Sequence, residues 1–199
     1  MFKSFKSVFL VALTLSLGAC GGGGDGGARR QPVLSKYTGS WSNCDGSGNY
    51  ETYMISSAKN GGLDLNMKSD FYSGDNCTGK IVANQTYSFS INILGTDVEN
   101  VVVALPPSGL TSRLDLDLMT VSTNGGSTSV VGEGVSRVFK NGQWQYCFDR
   151  NPSTQNCIAD EVTSAASSTG ALYTDGVNLY QFMKNGTAWV AANNGYLKN

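Results

Sequence analysis

The chain predicts an all-β fold, with antiparallel strands joined by tight turns in an up-and-down barrel of about eight strands or in a β-sandwich. Three observations carry this expectation. Apolar and polar residues alternate at period two in "LDLNMK" (63–68), "TYSFSINI" (86–93) and "LDLDL" (114–118), the signature of strands with one dry and one wet face. The tripeptide Lys-Asn-Gly occurs three times, beginning at Lys59, Lys140 and Lys184. Asn-Gly suits a type I′ hairpin turn, whose two central residues need positive φ. Glycine is abundant at 25 residues, and tyrosine leads the aromatics with 9, a balance that suits strands and turns.

Taken in order, residues 1–19 are expected to form a signal peptide. Lys3 and Lys6 make a basic front, and residues 8–17 an apolar core of ten residues. At about 1.5 Å per residue this core falls short of a hydrocarbon layer of about 30 Å, so it suits export rather than spanning. It closes in Leu17-Gly18-Ala19-Cys20, which resembles the lipobox of bacterial lipoproteins. The resemblance implies cleavage before Cys20 and acylation of its thiol and new amino group with chains of the palmitate class. Gly21, where an Asp would retain the protein, implies the outer membrane. Three acyl chains hold a bilayer far more firmly than one. Residues 20–36 then read as the acylated cysteine and a Gly-rich tether, with Arg29 and Arg30 as solvated linker charges. As Gly-rich chain, residues 21–36 would spread over roughly 20–24 Å.

Residues 37–199 have the length of a single domain. Beyond the alternating strands, "VVVAL" (101–105) is apolar throughout, which predicts a strand covered on both faces. Pro106-Pro107-Ser108-Gly109 ends it. "SRVFK" and "QWQYCF" flank the second Lys-Asn-Gly, and "LYQFMK" and "TAWVA" the third, so both predict hairpins. One segment dissents. "IADEVTSAASS" (158–168) has Ala, Asp and Glu with little β-branching, and predicts a short helix or a loop.

The balance of charge is mildly acidic. The full chain carries a net charge of −1, and without Lys3 and Lys6 its 12 Lys+Arg stand against 15 Asp+Glu, a net of −3. That is no electrostatic footprint for nucleic acid. There is no histidine, which removes Ser-His-Asp and Cys-His catalysis and the common imidazole metal sites. No catalytic residue, metal or cofactor is expected, and the chain reads as non-enzymatic. With Cys20 assigned to lipid, Cys44, Cys77, Cys147 and Cys157 remain, an even number for an oxidising compartment. Four cysteines allow three connectivities. The local pairs Cys44–Cys77 and Cys147–Cys157 are favoured over a four-thiolate metal site, which lacks any Cys-x-x-Cys pair.

Two polar clusters read as structure rather than chemistry. "CDGSGNYE" (44–51) sets Asp45, Ser47, Asn49 and Glu51 at alternate positions, but Tyr50 and Ser56 stand where a calcium loop needs Gly and Glu. It reads as a polar turn. Asp115 and Asp117 flank Leu116 on one strand face, which reads as solvated.

"YTGSWSNC" (37–44) gives a second resemblance. Gly39-Ser40-Trp41 resembles the Gly-x-Trp that opens the first strand of lipocalins. There the Trp plugs the closed end of an eight-stranded barrel beside an Arg from a late strand, which here implies Trp41 and Arg137. The remaining lipocalin motifs are missing. Residues 37–80, with Cys44 followed by Cys77 in "YSGDNCTGK", also resemble small bacterial lipoproteins of unassigned role.

The expected protein is thus a lipid-anchored envelope protein with a lipocalin-like domain. Its membrane contact is made by the acyl chains. Its expected function is to bind a small apolar ligand in the barrel mouth, lined by Tyr87, Phe89, Leu116 and Leu118, since an eight-stranded barrel holds one small ligand. The alternative is an interaction or structural lipoprotein with a filled core, which meets an envelope partner through its surface. The weight of Leu, Tyr, Phe and Ile on the dry faces leans toward a filled barrel.

Overall fold

The computed structural model describes residues 30–160 and 162–199. The expected signal peptide, Cys20 and the expected tether up to residue 29 lie outside the described residues. The rest is all-β. In chain order the strands are β1 (Gly39–Cys44), β2 (Asn49–Ser57), β3 (Leu63–Tyr72), β4 (Ile81–Tyr87), β5 (Ile91–Leu105), β6 (Leu110–Thr123), β7 (Gly126–Val131) and β8 (Ser136–Lys140). There follow β9 (Gln143–Asn151), β10 (Thr154–Ala159), β11 (Val162–Thr163), β12 (Ala166–Thr174), β13 (Asn178–Asn185), β14 (Ala188–Ala191) and β15 (Tyr196–Lys198). A 3-10 turn, Leu34–Tyr37, precedes the first strand.

Eight strands close an antiparallel barrel in the order β1-β2-β3-β5-β6-β12-β13-β15, and β15 returns to β1. The barrel architecture expected from the alternation is present. The Lys-Asn-Gly turns join β2 to β3, β8 to β9 and β13 to β14. At the second of them Asn141 and Gly142 have φ of 56° and 80°, both in the left-handed region that Asn and Gly tolerate best.

β3 belongs to two neighbours. Its first half, Leu63 to Leu65, pairs with β5 and closes the ring, while its second half, Lys68 to Tyr72, pairs with β4. From there β4 continues to β7 and β11 as a flap outside the ring. The stretch "TYSFSINI" is therefore two strands, broken at Ser88–Ser90, and not one. The segment 158–168 departs from the expected helix or loop, because residues 162–163 and 166–168 pair as strand edges with β7 and β6.

β8, β9 and β10 form a separate three-stranded sheet. It packs on the flap and on the end of β3, with the Phe148 ring 5.1 Å from Phe71. Arg150 ties it down by donating to the carbonyls of Tyr72 and Gly74, both at 2.9 Å.

Both disulfides join the pairs favoured from spacing, Cys44–Cys77 and Cys147–Cys157. The second links directly opposed residues of β9 and β10. The first closes a 33-residue separation across the β1–β3 meander. Replacing both of its cysteines by alanine is expected to cost about 3–4 kcal/mol on the loop-entropy estimate. A urea titration followed by circular dichroism checks this, and an unchanged midpoint would refute it.

Two cores lie on opposite faces of the shared strands. Trp41, Tyr53, Leu63, Leu65, Met119, Leu179 and Tyr196 fill the barrel lumen. Val103, Leu116, Ala171, Tyr180 and Phe182 form an outer core, against which Trp189 and Ala191 of β14 pack. A β-bulge between Gly95 and Asp97 makes this possible. It reverses the parity of β5, so Ile91 and Ile93 face the lumen while Val101 and Val103 face the outer core. "VVVAL" is therefore covered on one face only, and Val102 is 56% exposed.

Candidate functional site

The residues most able to do chemistry line the lumen. At the end closed by the 3-10 turn, Trp41 is fully buried and donates its indole N–H to the Tyr37 carbonyl at 2.8 Å. The Lys198 ammonium lies over the Trp41 ring, 5.2 Å from its centroid, because β15 sets Lys198 directly opposite Trp41. The cation beside the tryptophan thus comes from Lys198 and not from Arg137. Arg137 sits in the separate sheet, where it pairs with Asp160 at 2.6 Å and covers Trp144 at 4.6 Å.

Asp117 corrects the expectation of a solvated aspartate face. It is 2% exposed, and it points into the lumen beside its cross-strand neighbour Leu172. Lys36 meets its carboxylate at 2.7 Å, and the Tyr37 hydroxyl donates to the same oxygen at 2.6 Å. A buried charge needs such partners. Asp115, two residues earlier, stays at the surface and pairs with Arg30.

Farther up the lumen, Tyr53 and Tyr196 stack with ring centroids 4.2 Å apart. The Tyr196 hydroxyl donates to Glu51 at 2.6 Å and lies 2.9 Å from the Tyr53 hydroxyl. Asn49 donates to the other Glu51 oxygen at 3.3 Å. Burial, reinforced by the neighbouring carboxylates, pushes the phenols of Tyr37, Tyr53 and Tyr196 well above their ordinary range. A phenol held protonated is a hydrogen-bond donor and not a base. The cluster therefore positions and satisfies Glu51.

The candidate ligand-lining residues do not meet in the lumen. Leu116 and Leu118 face the outer core, because Asp117 and Met119 take the inner face of β6. Tyr87 ends β4, a strand outside the ring, close enough to the lumen residue Tyr53 to raise its phenol, and packs edge-on to Phe89 at 5.2 Å. Sequence reasoning missed Glu51, Tyr53 and Tyr196 as a group. Their signal was present in "ETYMI", where Glu51 shares its parity with Tyr53 and Ile55. Asp45 behaves as the polar turn requires, accepting the Ser47 and Asn49 amides. Among the described residues no three His, Cys, Asp or Glu side chains converge to hold a metal.

Outside the lumen, the β8–β9 hairpin displays Phe139 and Trp144, 62% and 45% exposed, packed edge to face at 5.5 Å. Two clefts of about 310 and 450 Å3 also lie outside it. Neither protein-family models, curated proteins nor solved structures give a match to this chain.

Proposed function

We propose that this chain is a non-enzymatic lipoprotein of the outer membrane, held by an acylated Cys20, whose barrel is filled and which meets an envelope partner through its surface. One observation carries the choice over an apolar-ligand carrier. Trp41, Tyr37, Leu63, Met119 and Leu179 are each under 2% exposed and occupy the barrel's interior. Protein interiors packed this way leave no room for a guest without rearrangement. The next stretch of lumen is taken by the Glu51–Tyr53–Tyr196 network, which suits a satisfied polar core better than an apolar ligand. The anchoring half rests on the lipobox resemblance at Leu17 to Cys20 and on the four remaining cysteines, which pair as two disulfides. The rigid display of Phe139 and Trp144 on a stapled sheet offers a contact surface of the aromatic kind that interfaces favour.

Mass spectrometry of the full-length product isolated from membranes tests both halves. Under denaturing conditions the N-terminal peptide should begin at Cys20 and carry three acyl chains; an unmodified cysteine would overturn the anchor. Under native conditions no stoichiometric companion should accompany the protein. A discrete small molecule that leaves on denaturation would restore the carrier reading.

A further inference from the structure

The far end of the β5–β6 hairpin is unusual for its composition. From Val101 to Ser112 there is no charged residue, and the tip reads Leu105-Pro106-Pro107-Ser108-Gly109-Leu110. Leu110 is 71% exposed and Val102 56% exposed. Beside it runs β14, and the stretch from Gly186 to Leu197 is likewise uncharged, with Val190 49% exposed. The cleft of about 310 Å3 lies between the two, lined by Leu105, Pro106, Pro107, Val190 and Ala191. Charges begin one level back in two clusters, Arg30 and Arg113 joined to Asp115 through Asn100, and Lys184 paired with Glu99 beside Trp189. An apolar cap ringed by charge marks a contact surface.

The N-terminal segment lies across the base of this hairpin, with Lys36 on Asp117 and Gln31 and Pro32 beside the β2–β3 turn. Pro32 lies on the bare backbone of Gly95, where an added Cβ would come within 2.8 Å of it. From there the Arg30 side chain reaches outward to Asp115, farther along the same hairpin. From Asp115 to Leu110 is five residues of strand, about 17 Å. Arg30 stands only ten positions after Cys20. A Gly-rich stretch of that length has a root-mean-square reach of about 16–19 Å. The reach of the tether and the span from its last fixed point to the hairpin tip therefore match, the condition under which a linker most favours a second contact.

We infer that the β5–β6 tip is the membrane-facing surface of the domain, with Leu110, Pro107 and Val190 resting in the headgroup layer of the bilayer that holds Cys20. This deepens the proposed function and rests on its anchoring half. An uncharged apolar tip fits the boundary between headgroups and acyl chains, where small apolar insertions are favourable. The exposed Phe139–Trp144 pair is the rival surface, but it is flanked by Arg137 and Lys140 and no part of the N-terminal segment approaches it among the described contacts.

The test uses the full acylated chain, reconstituted in vesicles of phosphatidylethanolamine and phosphatidylglycerol. Leu110→Cys and, as reference, Phe139→Cys are each labelled with an environment-sensitive fluorophore after the disulfides have formed. Flotation with the vesicles is scored first. The expected result is co-flotation, with the label at 110 blue-shifted and quenched at least twofold more by spin-labelled lipid than the label at 139. Co-flotation with both labels equally water-exposed would overturn the docking and leave the anchor standing. A wild-type chain that fails to float would overturn the anchor, and the docking with it.

Discussion

Replacing Trp41 by alanine should destabilise the domain by about 3–5 kcal/mol, the range for truncating a fully buried tryptophan. Trp41 has no exposed surface and sits where β1, β2 and β15 meet, opposite Tyr53 on one side and Lys198 on the other. Its indole also holds the 3-10 turn through the Tyr37 carbonyl. Truncation therefore opens a cavity, frees a backbone acceptor and loosens the segment that carries Lys36 and Tyr37 to Asp117. For a domain of this size the loss corresponds to a fall in Tm of about 10–15 °C. Thermal unfolding followed by circular dichroism reads it. Arg137→Ala is the informative companion, because the lipocalin resemblance assigned the partner role to Arg137. A half-exposed side chain in the separate sheet should change Tm by no more than about 2 °C on the scale of surface ion pairs. A large loss for Arg137→Ala with little for Trp41→Ala would refute the account of the closed end.

The domain should also unfold steeply in alkali. Tyr37, Tyr53 and Tyr196 have phenols pushed above their ordinary range, in each case chiefly by burial. In the unfolded chain those phenols titrate near 10. The folded state holds protons that the unfolded state has lost, so stability falls as pH rises above the unfolded value. Below it the contribution is complete. Each phenol costs about 1.4 kcal/mol per pH unit in that window, and three together about 4. A stability of about 5–15 kcal/mol is then exhausted within a few pH units. Far-ultraviolet circular dichroism and phenolate absorbance should change together, in one transition. Tyr53→Phe should reduce the pH slope by about a third. Phenolate appearing near pH 10 for all nine tyrosines, with the strands intact, would show that these three are not enclosed.

What the sequence carried and what it did not follow from the range of the interactions involved. Hairpin turns are local, so "KNG" between strand-like runs located two of them, and the first "KNG" proves to join β2 to β3 as well. The disulfide pairs followed from short separations. The face of β6 did not, because alternation divides a strand into two sides without saying which is inside. "LDLDL" reads as dry leucines and wet aspartates, yet Asp117 is the lumen residue. The groups that make its burial tolerable, Lys36 and Tyr37, lie about 80 residues away in sequence. The outer core had the same cause: β14 covers Leu116 and Val103 only after the chain has turned back through β13. The bulge at Gly95 to Asp97 left a weak signal, a lone glycine inside a strand, and it reverses every assignment beyond it. Lys198 was invisible as a partner for Trp41 because the contact exists only once the ring closes.

The order of the ring makes one short strand its closure. β15 lies between β1 and β13 and covers an edge of each. A copy in which β15 came away would be an open curved sheet with those two edges bare, the form most prone to pair with another copy of itself. Three residues, Tyr196 to Lys198, keep the edges covered. The closing strand is thus a guard against self-association, as well as a stave of the barrel.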